Sequence, residues 1–357
     1  MTWSPTNHRR SPPAAQFAAV AARGPAIKIA LYIAAGLGLS LAVYLVVESG
    51  ADAIWQAMLT MGWGLAIVAA FHLAPLLFNG LSWRALLPRD YQLSIPTVTW
   101  IRWIRESING LLPVGQVGGD FVCVRLAHLK GVPAAPATAS MSADVSVSVF
   151  SQIIFVTIGL GLLLSRSTDP TVLAIVWTIL AGMAILMVAM IAFISVQHVG
   201  MFSLLTRIAG FFSKSPVIAR FRSLAAEIDA STRALYRNKR AFWTAMGWRL
   251  IDWVVGAGEV WLLMYFLGKP VSFTDALILE SLGSAVRTAA FLVPGAIGIL
   301  EASYVVFGGL FGIGAADSLA LALGKRVREI AFGVPGIISW QIFEGRRLLN
   351  NRTPPNA

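Results

Sequence analysis

Residues 111–120 read LLPVGQVGGD and residues 292–301 read LVPGAIGILE. In each passage a proline is followed by spaced glycines and, seven positions after the proline, by a carboxylate: Pro113 to Asp120 and Pro294 to Glu301. An arginine, Arg105 or Arg287, stands about two helical turns before each proline. Proline has no N–H to donate and glycine loses the most backbone entropy on ordering, so Pro113, Gly115, Gly118 and Gly119, and then Pro294, Gly295 and Gly298, break a helix. The two passages look like copies of one turn.

What surrounds them is apolar. AVILMFWYC makes up 57% of the 357 residues and only 13% are charged, about half the usual share, so too little polar surface exists to cover a soluble protein. Stretches long enough to cross about 30 Å of hydrocarbon run roughly from Ala26 to Val47, Trp63 to Leu81, Ala134 to Leu164, Val172 to Val196, Ala241 to Leu267 and Leu319 to Phe343. Between the last two lies a broken apolar tract, about Phe273 to Ile313. The first stretch is longer than the core of a secretory signal and reads as a retained anchor. The fold class is an all-α polytopic membrane protein of about six full spans plus two re-entrant hairpins, or eight spans.

The formal charge of +11 is a topology signal. Arginine and lysine crowd residues 9–28, 84–130, 207–240 and 346–352, and these segments alternate in the sense that places them, with both termini, in the cytoplasm of an inner-membrane protein. Nucleic acid is not an expected partner. The organisation is a leader over 1–25, a membrane domain over 26–345 with halves at about 63–196 and 241–345, a basic linker over 197–240 and a tail over 346–357. The linker mixes phenylalanines and leucines with its basic residues, which reads either as an interfacial helix pair on an anionic leaflet or as a solvated loop made basic to stay inside. By parity, the passage around Pro113 dips in from the cytoplasm and the one around Pro294 from the opposite face, the arrangement of inverted repeats whose broken helices form transporter sites.

Charges at membrane depth are costly and therefore candidates for function. Ser140, Asp144, Ser148 and Gln152 recur at i+4 as one polar stripe; Lys325 and Glu329, Glu280 and Arg287, and Asp252 and Glu259 share helix faces. Asp144 and Lys325 each lie 31 residues beyond their proline, which suggests a pair between the halves. Lys325, Arg326, Arg328 and Glu329 read either as a static ion network or as headgroup contacts. His72, Pro75 and Asn79 carry a weaker signal. Gly308 and Gly312 form a small-xxx-small pair, and Trp3, Trp55, Trp63, Trp83, Trp100, Trp103 and Trp340 read as belt anchors. Cys123 is the single cysteine, and the four histidines have no ligand spacing, so no metal or cofactor is expected.

The runs from Asn109 to Val122 and Leu292 to Ala302, with KRVRE at 325–329, resemble the lysylphosphatidylglycerol synthase transmembrane, or flippase-like, family over about residues 60–345, and within it the branch associated with hopanoid biosynthesis. The resemblance implies a lipid-handling inner-membrane protein whose partners are a hopanoid or an anionic phospholipid and lipid-biosynthesis or transport proteins. Only fourteen residues follow Phe343, too few for the synthases' catalytic domain, so aminoacyl transfer is not expected. On this reading Asp120, Arg125, Asp144, Arg287, Glu301, Lys325, Arg328 and Glu329 line a mid-membrane cavity and meet a headgroup. The alternatives are an enzyme acting on a headgroup, with Asp120, Glu301 or Glu329 as base, and a non-catalytic scaffold.

Overall fold

The computed structural model describes residues 51–112, 117–166, 169–212, 216–290 and 296–350, with residues 40, 44, 47 and 293. The expected first span, the N-terminal leader with Trp3, and the turn residues Pro113, Gly115, Pro294 and Gly295 lie outside the described residues. Every described element is helical. Three are long and apolar enough to cross a membrane: Gly64–Leu86, Ala134–Leu164 and Pro170–Val199.

In chain order the helices are α1 (Ala51–Met61), α2 (Gly64–Phe71), α3 (Leu73–Leu86), α4 (Ile95–Leu111), α5 (Gly118–Leu129), α6 (Ala134–Leu164), α7 (Pro170–Val199), α8 (Met201–Phe212), α9 (Pro216–Arg237), α10 (Lys239–Phe266), α11 (Phe273–Ala289), α12 (Ile299–Gly309) and α13 (Ala315–Asn350). Helices α2 and α3 form one span bent at His72. Pro75, three residues on, has no N–H for the carbonyl of Phe71, which loosens the ladder at that point. The linker is a helix pair, α8 and α9, packed together. Buried Asp229 of α9 accepts the N–H groups of Phe202 (3.0 Å) and Ser203 (2.9 Å), so α8 has its N-terminal donors satisfied from across the pair. Helix α7 is apolar on all sides and mostly uncovered by protein, with Trp177, Ile185 and Val188 exposed, as a lipid-facing helix requires.

Both Pro-Gly passages are breaks between paired helices. Helix α4 has 17 residues and α5 has 12; α11 has 17 and α12 has 11. At the first break the N–H of Gly119 donates to Asn109 Oδ1 at 2.7 Å, and a Cβ on Gly119 would sit 2.4 Å from the Arg105 carbonyl oxygen, so the arms meet only because the residue is glycine. At the second break Gly298 adopts φ +79°, a conformation that costs a side-chain-bearing residue energy, and its N–H donates to Glu301 Oε2 at 2.7 Å.

The order helix (α2–α3 or α10), helical hairpin (α4–α5 or α11–α12), long helix (α6 or α13) occurs twice along the chain. Helices α3 and α10 form the most extensive helix pairing; α4 lies against α13, and α11 against α6. Apolar side chains gather in two main clusters. One contains Val68, Ile153, Val260, Leu282 and Ala322, and the other Trp83, Ile104, Cys123 and Met141, with Trp340 and Phe343 packed on it. Along α6, Asp144 falls between Met141 of the second cluster and Ile153 of the first, and along α13 Lys325, Arg326, Arg328 and Glu329 fall between Ala322 of the first cluster and Trp340, which packs on the second. A polar layer therefore separates two apolar ones.

Several expectations are corrected here. Trp83 is fully buried beneath Arg102, and Trp100 and Trp103 donate to Ser339 Oγ and the Phe332 carbonyl, both at 2.8 Å, so these three are packing residues of the bundle; Trp55 and Trp63 are exposed. Gly308 does pack closely, against Ser318, but Gly312 has φ +70° in the turn beyond α12 and makes no such contact.

Candidate functional site

The polar layer holds five sets of charged side chains. At its centre, where α3, α6, α4 and α10 meet, Asp144 Oδ1 receives both Arg102 and Arg249, the latter at 2.8 Å. Arg249 also reaches Asp252 at 3.3 Å, and Asn79 donates to Asp252 at 3.2 Å. Arg102 lies over the Trp83 ring, 5.2 Å from its centroid, a cation–π contact in a fully buried setting. Arg102 Nε and NH1, Arg249 Nε and Arg328 Nε are buried and have no protein acceptor. The layer is thus rich in donors, the chemistry that suits an anion or ordered water.

At the bend of the second span, His72 Nδ1 is 2.5 Å from Glu259 Oε1 and its Nε2 is 2.8 Å from Glu106 Oε1. Arg328 of α13 closes this set, 3.1 Å from Glu259 and 3.4 Å from Glu106. The edge of His72 meets Phe332, with ring centroids 5.0 Å apart. On the other side of α13, Glu329 takes Arg287 at 2.6 Å and Arg326 at 2.8 Å, and Arg326 reaches Glu301 at 2.9 Å. Lys325 pairs with Glu280 beside the Tyr304 ring, and Arg105 pairs with Asp120 across the first hairpin.

Two of these charged groups are open to solvent well beyond the others of the layer. The Glu106 side chain is 43% exposed and that of Arg287 is 32% exposed. They approach the consecutive α13 residues Arg328 and Glu329, and each stands seven positions before its proline. The spacing that matches Arg287 in the first passage is therefore that of Glu106, and Arg105, one residue earlier, instead ties its hairpin to Asp120.

The structure brings Asp144, Arg287, Glu301, Lys325, Arg328 and Glu329 into the layer and sets Asp120 at the base of the first hairpin. Arg125 is elsewhere: it holds Glu344 through two contacts of 2.7 and 3.0 Å near the end of α13, next to Phe343 of the second cluster. The pair expected between Asp144 and Lys325 does not form. Each finds a partner on the long arm of the hairpin that precedes it in the chain, Arg102 and Glu280 respectively. The Ser140–Gln152 stripe is buried, with Gln152 donating to the Ser284 carbonyl at 2.9 Å and to Thr288 Oγ1.

Glu106, Arg102 and Arg249 are site residues that the sequence reading placed in loops or passed over, and His72 is more central than its lone position suggested. An arginine-and-acid pattern on α4 (Arg102 and Glu106 at i,i+4) was the available signal. A cavity of about 200 Å³ lies at the ends of α7, α9 and α10, away from these ion pairs, lined by Ile194, His198, Tyr236, Lys239, Phe242 and Trp243. Among the described residues no group of His, Cys, Asp and Glu is arranged to hold a metal ion.

The family model described as lysylphosphatidylglycerol synthase TM region matches residues 27–335. No curated protein and no solved structure matches the chain. The matched region is the membrane part of those synthases, and the match spans both hairpins and the whole polar layer. The chain belongs to that family.

Proposed function

We propose that this member of the lysylphosphatidylglycerol synthase transmembrane family moves a membrane lipid between leaflets, its headgroup passing the polar layer while its chains stay in the hydrocarbon. The substrate class is a hopanoid or an anionic phospholipid, and the setting is the inner membrane with both termini cytoplasmic, as the basic segments favour. The two halves act as inverted repeats, their hairpins dipping from opposite faces, and alternate access arises when one hairpin pair rocks against the other.

The observation that carries this reading is the pair Glu106 and Arg287. In a layer otherwise closed by ion pairs, one acidic and one basic group at matching places in the two hairpins are the most exposed members, Glu106 beside Arg328 and Arg287 beside Glu329. An anionic headgroup can take Arg328 or Arg287 in place of Glu106 or Glu329. Arg328, Glu329 and Arg287 are the first contacts; Asp144, Lys325 and Glu301 hold the helices that carry them, with Asp120 bracing the first hairpin and Arg125 anchoring the end of α13. A headgroup-photoactivatable phosphatidylglycerol tests this: crosslinks concentrate on the two hairpins and on α13 near Arg328. Labelling confined to the lipid-facing surface of α7 contradicts it.

A further inference from the structure

Counting charge across the polar layer separates one set from the rest. Arg102 and Arg249 face Asp144 and Asp252; Arg287 and Arg326 face Glu301 and Glu329; Lys325 faces Glu280, and Arg105 faces Asp120. Each of these sets is neutral when all its side chains are ionised. The set at the His72 bend is different, because Arg328 alone stands against two carboxylates, Glu106 and Glu259.

His72 lies between those carboxylates, with a ring nitrogen 2.5 Å from one and 2.8 Å from the other. An ionised carboxylate only accepts hydrogen bonds, and a neutral imidazole has one N–H. Making both contacts requires one proton more than a neutral imidazole and two carboxylates carry. That same proton brings the set to zero charge. His72, Glu259 and Arg328 are buried, so an unbalanced charge there is strongly disfavoured, whereas Glu106 is the most exposed member of the set.

We propose that His72, Glu106 and Glu259 form a proton-binding site that couples proton uptake to the binding of an anionic lipid headgroup. The inference rests on the lipid-moving reading and supplies its coupling ion. A headgroup phosphate that engages Arg328 in place of Glu106 adds one negative charge to a neutral set. Glu106, released from Arg328, then takes a proton from water onto its carboxylate oxygen, and neutrality returns. When the headgroup leaves, the proton goes back to water and Glu106 to Arg328. Only an O–H bond forms and breaks. The other charged groups that act on the set are Asp252 on α10, Arg287 on α11, and Lys325 and Glu329 on α13, and each has its partner in one of the sets above.

The test measures the affinity of the detergent-solubilised full chain for short-chain phosphatidylglycerol at about pH 6 and about pH 8. One coupled proton weakens binding about tenfold per pH unit as pH rises. Glu106→Gln, at a half-exposed position, flattens that slope. A wild-type affinity equal at both pH values overturns the proposal. If phosphatidylglycerol binds at neither pH, the lipid reading fails, and the proton site is decided without ligand. Nitrogen NMR of His72 and carboxyl infrared spectra then show the extra proton, as a doubly protonated imidazole or as a protonated-carboxyl band lost in Glu106→Gln. A neutral imidazole with no such band overturns the site itself.

Discussion

Replacing Asp144 by asparagine keeps the shape of the side chain and removes the one negative charge on which two buried arginines converge. Asp144 is fully buried, and Arg102 and Arg249 are 1% and 2% exposed, so water cannot take its place. Breaking a buried pair by removing one partner costs about 3–5 kcal/mol, or two to four orders of magnitude in the folding equilibrium, although Asp252 at 3.3 Å retains one of the two arginines. Asp144→Asn is therefore expected to destabilise the bundle by about 3–5 kcal/mol, read as the denaturant midpoint of the detergent-solubilised protein by tryptophan fluorescence. A second substitution, Arg102→Met, removes the arginine that loses its only partner and leaves a flexible apolar chain over Trp83. The double variant, with Arg249 and Asp252 still balanced, is expected to be less destabilised than the two single costs added, by about 1–3 kcal/mol. If Asp144→Asn falls within about 1 kcal/mol of wild type, or if the single costs simply add, the charge accounting of the layer is wrong.

Three other outcomes follow from the packing and the caps. A Cβ on Gly159 would lie 1.8 Å from Ser281 Oγ, so Gly159→Ala is expected to cost about 1–3 kcal/mol and Gly159→Ala with Ser281→Gly to recover most of it, measured by the same unfolding assay. Asp229→Ala removes the acceptor of two N–H groups at the start of α8, and faster limited proteolysis around residues 200–213 reports the loosened helix pair, at a cost of about 1 kcal/mol. Asp169 caps α7, and the Thr171 backbone N–H holds its carboxyl below the usual carboxylate range. The cap's contribution is complete above the ordinary carboxylate pKa and is lost as pH falls through the lowered one, so protection of the Thr171 amide, measured against its intrinsic exchange rate at each pH, falls in acid in the wild type and is low at every pH in Asp169→Ala.

The helices and their breaks were legible because they depend on neighbours in sequence. Hydrophobic length placed α6 at Ala134–Leu164, and the Pro-Gly passages marked the gaps after Leu111 and Ala289. The basic linker left a helix pair and a solvated loop equally open, and it is a helix pair. Which charges meet was less legible, because that depends on how each helix is rotated and which neighbour it packs on. Asp144 and Lys325 hold equivalent places by count, yet each meets an opposite charge on the hairpin that precedes it in the chain and so never needs the other. Arg102 sits in a basic segment and resembled a topology signal, and Arg249 was passed over inside an apolar stretch, although the fold buries both. His72 looked like an isolated polar residue because its partners, Glu106 and Glu259, lie 34 and 187 residues away. Trp83, Trp100 and Trp103 misled for a related reason: an indole suits an interface and also suits a buried site that offers an acceptor.

The most direct test of the central claim is the movement of fluorescent phospholipid between leaflets of proteoliposomes containing the full chain. Wild-type protein is expected to expose inner-leaflet lipid to an added quencher well above the protein-free rate, and Arg287→Gln with Glu106→Gln, which removes one exposed charge of each sign and leaves Arg102–Asp144, His72–Glu259 and Arg326–Glu301 in place, to return the rate to that baseline. Folded wild-type protein that leaves the rate at the protein-free level for both a phospholipid and a hopanoid probe contradicts the account.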